Sequence, residues 1–315
     1  MMATVDAILD ASRESITRGS KSFRSASRLF DPEVREDAWL LYAWCRRCDD
    51  EIDGQDHGHG HEEITPREQR RRLDRLYDQT RRALAGEPTE DPTFAAFQRV
   101  ALRHQLPERW PLDLIDGFAM DVERREYRTI EDVLTYCWHV AGVVGVMMAR
   151  VMGVTDPEVL RRAQDLGLAF QLTNIARDVV EDAENGRLYL PADWLVEAGL
   201  APTAEAVADP ANRDKAHAVT TRMLKLAEPY YDSARDGLRG LPFRSSLAIA
   251  AARGVYREIG RKVRRRGPGV WARRVVVRKP TKLWLFGRGF LIAIWTRTVH
   301  RGKAPPPRAG LWTHI

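Results

Sequence analysis

An all-α fold is what this sequence predicts, on three observations. Apolar residues recur at helical spacing through most of the 315 residues, and no alternating strand pattern persists. Proline heads several periodic segments, as at Pro32, Pro66 and Pro157, where its missing N–H and fixed φ suit the first turn. Hydrophobic residues make up 44% of the chain, ample for a core of packed helices in one large domain or two ordinary ones.

Taken in order, Ser12 to Phe30 opens with a helix and contains Ser20-Lys21-Ser22-Phe23. The next helix starts at Pro32 and runs through Trp39, Leu40 and Tyr42 to about Asp53. Gly54 to Thr65 is a polar loop; its His57, His59 and His61 can bind metal, but a solvated loop is the preferred reading. Pro66 to Leu84 is a strongly charged helix, followed by helices over Thr93 to Arg103 and Pro107 to Arg125. Asp121 and Glu123, ahead of Arg124, Arg125 and Tyr127, read as ordinary helix-end pairing. Glu131 to Met152 is a helix in which Ala141, Gly142 and Gly145 make a small-residue face. A helical Gly costs about 1 kcal/mol against Ala, so close helix contact or room for a ligand is expected there. Pro157 starts a long helix ending near Gly186. An extended connection, Arg187 to Pro191, precedes a short helix at Asp193 to Glu197. Helices over Asn212 to Leu238 and Phe243 to Arg266 complete the body, carrying Tyr230, Tyr231 and Tyr256.

Two of these helices carry spaced acids. In Gln171-Leu-Thr-Asn-Ile-Ala-Arg-Asp-Val-Val-Glu-Asp182, Asn174, Asp178 and Asp182 fall at i, i+4 and i+8, one polar line with steps of about 6 Å. Gln171 and Arg177 lie close to it. One such stripe alone reads as a solvated face. A second copy upstream changes that: Asp49 and Asp53 are again i, i+4, with Arg46 one turn before. Carboxylates on two helices beside arginine suit Mg²⁺ completed by substrate phosphates, with arginine gripping the anion.

Composition bounds the setting. Three cysteines exclude a disulfide framework, and Cys45-x-x-Cys48 lacks a second pair for zinc, so a reducing, cytoplasmic compartment is expected. Met1 to Asp10 holds two acids and no long apolar core, so no secretory leader is expected. The net charge of +6 hides an asymmetry. From Arg253 onward there are 17 Lys/Arg and one acid, Glu258, whereas the preceding 252 residues hold 33 basic and 43 acidic groups. Beyond Gly267-Pro-Gly269 the chain is basic and apolar by turns, and Leu283 to Trp295 is apolar but for Arg288 and two glycines. With Trp284, Phe286, Phe290 and Trp295 among Arg and Lys, residues 270–315 read as a basic amphipathic tail at a membrane interface. The alternative is a helix docked on the body. Pro305 to Ile315 is expected to lack order.

Five motifs in order carry a resemblance: Ser20-Lys-Ser-Phe, Tyr42-Ala-x-Cys-Arg-x-x-Asp-Asp-x-x-Asp53, Tyr136-Cys-x-x-Val-Ala-Gly-x-Val-Gly145, Gln171-x-x-Asn-Ile-x-Arg-Asp-x-x-Glu-Asp182 and Gly186-Arg-x-Tyr-Leu-Pro191. Over residues 12–266 the chain resembles the squalene/phytoene synthase family, most of all its bacterial phytoene-forming members. One departure is Gly19, where family members often carry His. The resemblance implies an isoprenoid-synthase fold over residues 1–269, with helices around a central cavity. It implies head-to-head condensation of two geranylgeranyl diphosphates through a cyclopropyl diphosphate to 15-cis-phytoene, in carotenoid biosynthesis. Mg²⁺, or Mn²⁺ in its place, is the expected cofactor, and NADPH is not expected.

By the same resemblance Asp49, Asp53, Asn174, Asp178 and Asp182 hold the metal. Lys21, Ser22, Phe23, Arg46, Gln171 and Arg177 contact substrate, and Tyr42, Tyr136 and Tyr256 border the reaction cavity. Phe23, Val140, Ala141, Val144, Gly145 and Leu168 are its expected lining. Expected partners are the C20 diphosphate, the cytoplasmic face of a membrane and other carotenoid-pathway enzymes, but no nucleic acid. The alternatives are a squalene or dehydrosqualene synthase using two farnesyl diphosphates and, more remotely, a nonenzymatic helical protein that binds membrane or nucleic acid.

Overall fold

The computed structural model describes residues 26–54, 64–298 and 304–315. The Ser20 to Phe23 motif, with Lys21 and Ser22, and the histidines of the polar loop lie outside the described residues. Every regular element among the described residues is helical. In chain order they are α1 (Pro32–Asp53), α2 (Pro66–Leu84), α3 (Pro92–Arg103), α4 (Arg109–Val122), α5 (Ile130–Cys137), a π turn (Trp138–Gly142), α6 (Val143–Val151), α7 (Pro157–Glu184), α8 (Ala192–Glu197), α9 (Ala204–Ala208), α10 (Arg213–Gly237), α11 (Phe243–Arg266) and α12 (Lys279–Thr298).

The helix starts follow local chemistry. Proline occupies the first turn of α1, α2, α3 and α7. Side chains of Thr65, Asp91 and Asp156 accept from N–H groups left open in the first turns of α2, α3 and α7. Thr129 and Asp132 close a reciprocal capping box on α5. Helix α7 has no single apolar face because it runs through the middle of the bundle, against α6, the π turn, α9, α10 and α11. Around it lies a large apolar core that includes Trp44, Trp138, Tyr230 and Tyr231, all buried. Cys48 is buried within that core and Cys45 half-buried at its edge, and burial pushes the Cys45 thiol up to about 12.

The segment read as one helix over Glu131 to Met152 is broken by the π turn at Trp138–Gly142. One extra residue in the turn shifts the faces before and after it, and such insertions recur at functional sites. Here the turn brings Val140 and Ala141 to the central cavity while Trp138 stays buried and donates to Asp113 at 3.2 Å. Residues Ile130–Val151 are long and apolar enough to cross a membrane by composition, yet most of this stretch is buried against its neighbours. Its contact with α7 is set by glycines. A Cβ on Gly145 would lie 2.6 Å from the Ala163 carbonyl oxygen, and one on Gly167 would overlap the Ala141 carbonyl. The small-residue face therefore serves close contact, and Gly145 lines the cavity as well.

The tail packs on the body. Helix α12 lies along α11, with Gly289 beside the Ala251 backbone and Leu285 beside Gly254. Residues 304–315 have no regular structure, but the expectation that they lack order fails. Arg308 makes a two-pronged ion pair with fully buried Asp165 on α7, at 2.7 and 2.5 Å. Arg162 donates to the Pro306 carbonyl at 2.7 Å, and the His314 ring stacks on Trp138 at 4.5 Å. A carboxylate buried without its cation is costly, and removing one partner of a buried pair typically costs about 3–5 kcal/mol. Arg308→Met should lower unfolding free energy by that order in denaturant titration, and Asp165→Asn added to it should recover much of the loss. Equal stability of wild type and Arg308→Met would show that the pair does not hold the tail.

Candidate active site

Three helices end at one place, and each ends in acid. Asp49 and Asp53 occupy the last two turns of α1, Asp121 the last turn of α4, and Asp178 and Asp182 the last two turns of α7; none of these three helices has a basic residue in its last turn. A helix C-terminus is the negative pole of the backbone dipole, so an acid there is destabilising unless a cation compensates it. After Asp53 the chain leaves through Gly54 at φ 63°, a left-handed conformation that glycine adopts without strain.

The carboxylates raise one another's pKa. Partial burial, then Asp53, pushes Asp49 up to about 6 against the pull of Arg46. Burial, then Asp178, pushes Asp182 up to about 7. Loss of water around half-buried Asp121, with Asp53 facing it, raises its pKa to about 6 although Arg187 and two tyrosine hydroxyls pull it down. Arg187, just after α7, donates to Asp53 at 2.6 Å and also faces Asp121 and Asp182. Its guanidinium ties the α1 acids to those of α4 and α7. Asp121 further accepts from Tyr136 at 3.1 Å and Tyr189 at 2.8 Å, whose rings stack at 4.9 Å.

Sequence reasoning missed Asp121, Arg187 and Tyr189 as site residues. Rather than pairing with the arginines after it at the helix end, Asp121 turns its side chain to the two tyrosines and faces Arg187. The available signal was its position, an acid at a helix C-terminus with no base in that turn. Leu168 is a second correction. It is fully buried against the Gly142 side of the π turn, and Leu166 and Phe170, on the other side of α7, take the lining role. Glu51, beside these acids, is half-buried between Arg47 at 3.2 Å and Arg75 at 3.3 Å.

Of the other expected residues within the described part of the chain, Arg46, Gln171, Asn174 and Arg177 stand with the acids and Tyr42 and Tyr256 line the central cavity, whereas Tyr136, expected at its border, is buried on Asp121 and is not part of its wall. Arg46 pairs with Asp49, and Arg177 forks onto Asp178, with Nε at 2.8 Å from Oδ1. Asn174 donates to Gln171 at 3.3 Å, and its buried Oδ1 has no hydrogen-bond partner among the described residues; the same holds for the buried Nε of Arg46. Those two atoms and the mutually repelling carboxylates form a donor set that fits a hard divalent cation next to an anion. A separate trio, Asp113, Asp116 and His139, brings ligand atoms within 4.8 Å of one another, but Arg109 already lies on both carboxylates at 2.5 and 3.2 Å.

Behind the acids lies a cavity of about 380 Å³. Tyr42, Gln171, Asn174 and Tyr256 mark its polar end, and Tyr256 faces Arg177 and Asp178 while its ring stacks on Phe170 at 4.1 Å. Val140, Ala141, Val144, Gly145, Met148, Met152, Val159, Leu238, Leu241 and Ile249 make most of the rest apolar. From Asn174 to Val159 it follows fifteen residues of α7, or about 22 Å of helix. Burial raises the pKa of Tyr42 and Tyr256, which keeps both phenols neutral. Lys282 and Phe286 of α12 complete the wall.

A family profile described as squalene/phytoene synthase matches residues 16–281. The chain is 50% identical over 305 residues to a phytoene synthase of Pseudescherichia vulneris, covering 97% of each. It is also 50% identical over 302 residues to a 15-cis-phytoene synthase of a Paracoccus species, covering 96% of each. Among solved structures it superposes on a dehydrosqualene synthase in complex with ligand with a TM-score of 0.78 and 26% identity, over 90% of this chain and 95% of that one. With acids and apolar cavity arranged on an all-helical fold shared with that enzyme, the chain belongs to the squalene/phytoene synthase family.

Proposed function

We propose that this chain condenses two geranylgeranyl diphosphates head-to-head to 15-cis-phytoene, with Mg²⁺ and without NADPH. The observation that carries the reading is the junction of five carboxylates with a long apolar cavity. The names of its half-identical relatives support the C20 substrate.

Asp49, Asp53, Asn174, Asp178 and Asp182 would hold the metal, and Asp121 would hold Arg187 at its edge. Mg²⁺ bound there would supply Lewis-acid stabilisation of the leaving diphosphate. Arg46 and Arg177 now neutralise Asp49 and Asp178; a metal on those carboxylates would release both arginines for diphosphate oxygens, which the guanidinium fork matches. The cavity walls keep water from cationic carbon, and the aromatic rings of Tyr42 and Tyr256 lie at its polar end. Membrane association of residues 270–315 belongs to the same reading, since both the substrate chains and the hydrocarbon product are apolar. Deleting the tail is a poor test of it, because Phe286 and Lys282 form cavity wall and Arg308 neutralises Asp165.

Incubation with Mg²⁺ and the C20 diphosphate should give phytoene with or without NADPH. A C30 product from the C15 diphosphate, and none from the C20, would instead support the dehydrosqualene reading suggested by the superposed structure. Asp49→Asn and Asp178→Asn should each lower kcat by about 100-fold or more, the scale of losing one charge-stabilising group. Near-normal rates in both would remove the metal assignment. Asp121→Asn should also lose rate, yet unfold at an equal or higher temperature because it removes a charge from a crowded site.

A pH dependence follows from the same shifts. Asp49, Asp121 and Asp182 have folded pKa values raised to about 6, 6 and 7, so their contribution to stability is fully present below the unfolded carboxylate range and is lost as pH rises through 6 to 7. A divalent cation should offset that loss. The rise in Tm on adding MgCl₂ should be larger at pH 8 than at pH 5.5, where protons compete for the carboxylates. An Mg²⁺-induced rise in Tm independent of pH would contradict this.

A further inference from the structure

Helix α12 has two lives. Its inner side packs Leu285, Gly289 and Ala293 on α11 and puts Lys282 and Phe286 into the cavity wall. Its outer side exposes a stripe of large apolar residues at helical spacing: Leu283 at 76%, Trp284 at 62%, Leu291 at 65%, and Phe290, Ile294 and Trp295 near 40%. Soluble surfaces seldom carry such a contiguous patch without a partner for it. The patch is collared by cations. Exposed Arg273, Arg274, Arg278 and Lys279 precede it, and Arg288 sits over the Trp284 ring at 5.7 Å. No acid occurs after Glu258. An apolar stripe with two tryptophans and a basic collar complements a bilayer with anionic headgroups.

Resting on the condensation reading above, we propose that α12 docks on an anionic bilayer through this face and is the movable wall through which the hydrocarbon passes sideways into lipid. The wall separating the cavity from the outer face is a single helix at Phe286. The α11–α12 joint is a close backbone contact on small residues, Gly254, Ala250, Ala251, Gly289 and Ala293, into which α12 sends Leu285 as its large buried side chain, so parting the two helices near the cavity withdraws one leucine rather than an interdigitated row. Farther along, Arg297 donates to the Leu241 carbonyl and to Ser246 at 3.0 Å, which leaves the C-terminal end of α12 pinned as a pivot. An apolar product avoids water only if its exit opens where the helix already meets lipid.

The joint can be locked. A Cβ on Gly254 would lie 3.7 Å from the Leu285 Cβ, inside the range of about 3.5–4.5 Å that disulfides span. In the full-length Gly254→Cys/Leu285→Cys variant, oxidation should leave the first turnover with the C20 diphosphate intact but slow hydrocarbon transfer to phosphatidylcholine–phosphatidylglycerol vesicles at least tenfold, and reductant should restore it. Transfer at the same rate in oxidised and reduced forms would overturn the gate. Separately, Trp284→Gln/Leu291→Gln/Trp295→Gln should keep turnover in detergent and lose co-sedimentation with phosphatidylglycerol-containing vesicles at least tenfold. Unchanged co-sedimentation, or a wild type that self-associates through this face and ignores vesicles, would overturn the docking surface. Sedimentation needs no turnover, so its outcome is independent of whether phytoene is the product.

Discussion

Negative poles brought together dominate this molecule. Three helices place their carbonyl ends and five aspartates around one point, and among the described residues Arg46, Arg177 and Arg187 answer them. The cost appears in the carboxyl groups themselves, three of which hold their protons well above the usual range. Acids at these termini are unfavourable for stability and suit the binding of cations. The long core of α7, the proline-headed starts of α1 and α7 and the tyrosine pair on Asp121 all keep repelling groups in register.

The rest of the fold supplies the opposite environment a short distance away. Backbone-close packing at Gly145 and Gly167 lets α6 and α7 approach without filling the space beside them, and the π turn aims Val140 and Ala141 into it. The site thus joins a place that demands charge to one that excludes water. That pairing suits ionisation of an allylic diphosphate whose carbon chain stays dry.

Much of this was legible in the chain. Proline marked where α1, α2 and α7 begin, because that signal is local. The i, i+4 spacing of Asp49 and Asp53, and of Asn174, Asp178 and Asp182, is also local and identified two sides of the site. Asp121 and Arg187 were not legible as partners. Neither belongs to a run of acids spaced i, i+4, and only the convergence of α1, α4 and α7 makes them neighbours. Leu168 was misplaced because periodicity shows which residues are apolar, not which of two buried faces meets a cavity. Arg308 escaped for a related reason: a lone arginine in a Pro-rich segment gives no sign that Asp165, far upstream and wholly buried, needs it.

The central place of α7 has a consequence for how this protein can diverge. That one helix carries two of the clustered acids, cavity wall and the anchor of the tail, and it is touched on nearly every side. A substitution on it acts on several of these at once, so few will be neutral. The walls contributed by Met148, Met152, Leu241 and Ile249 carry no such second duty. Changes in the length of chain accepted should therefore accumulate on α6, α11 and the turn before α11, while α7 drifts slowly.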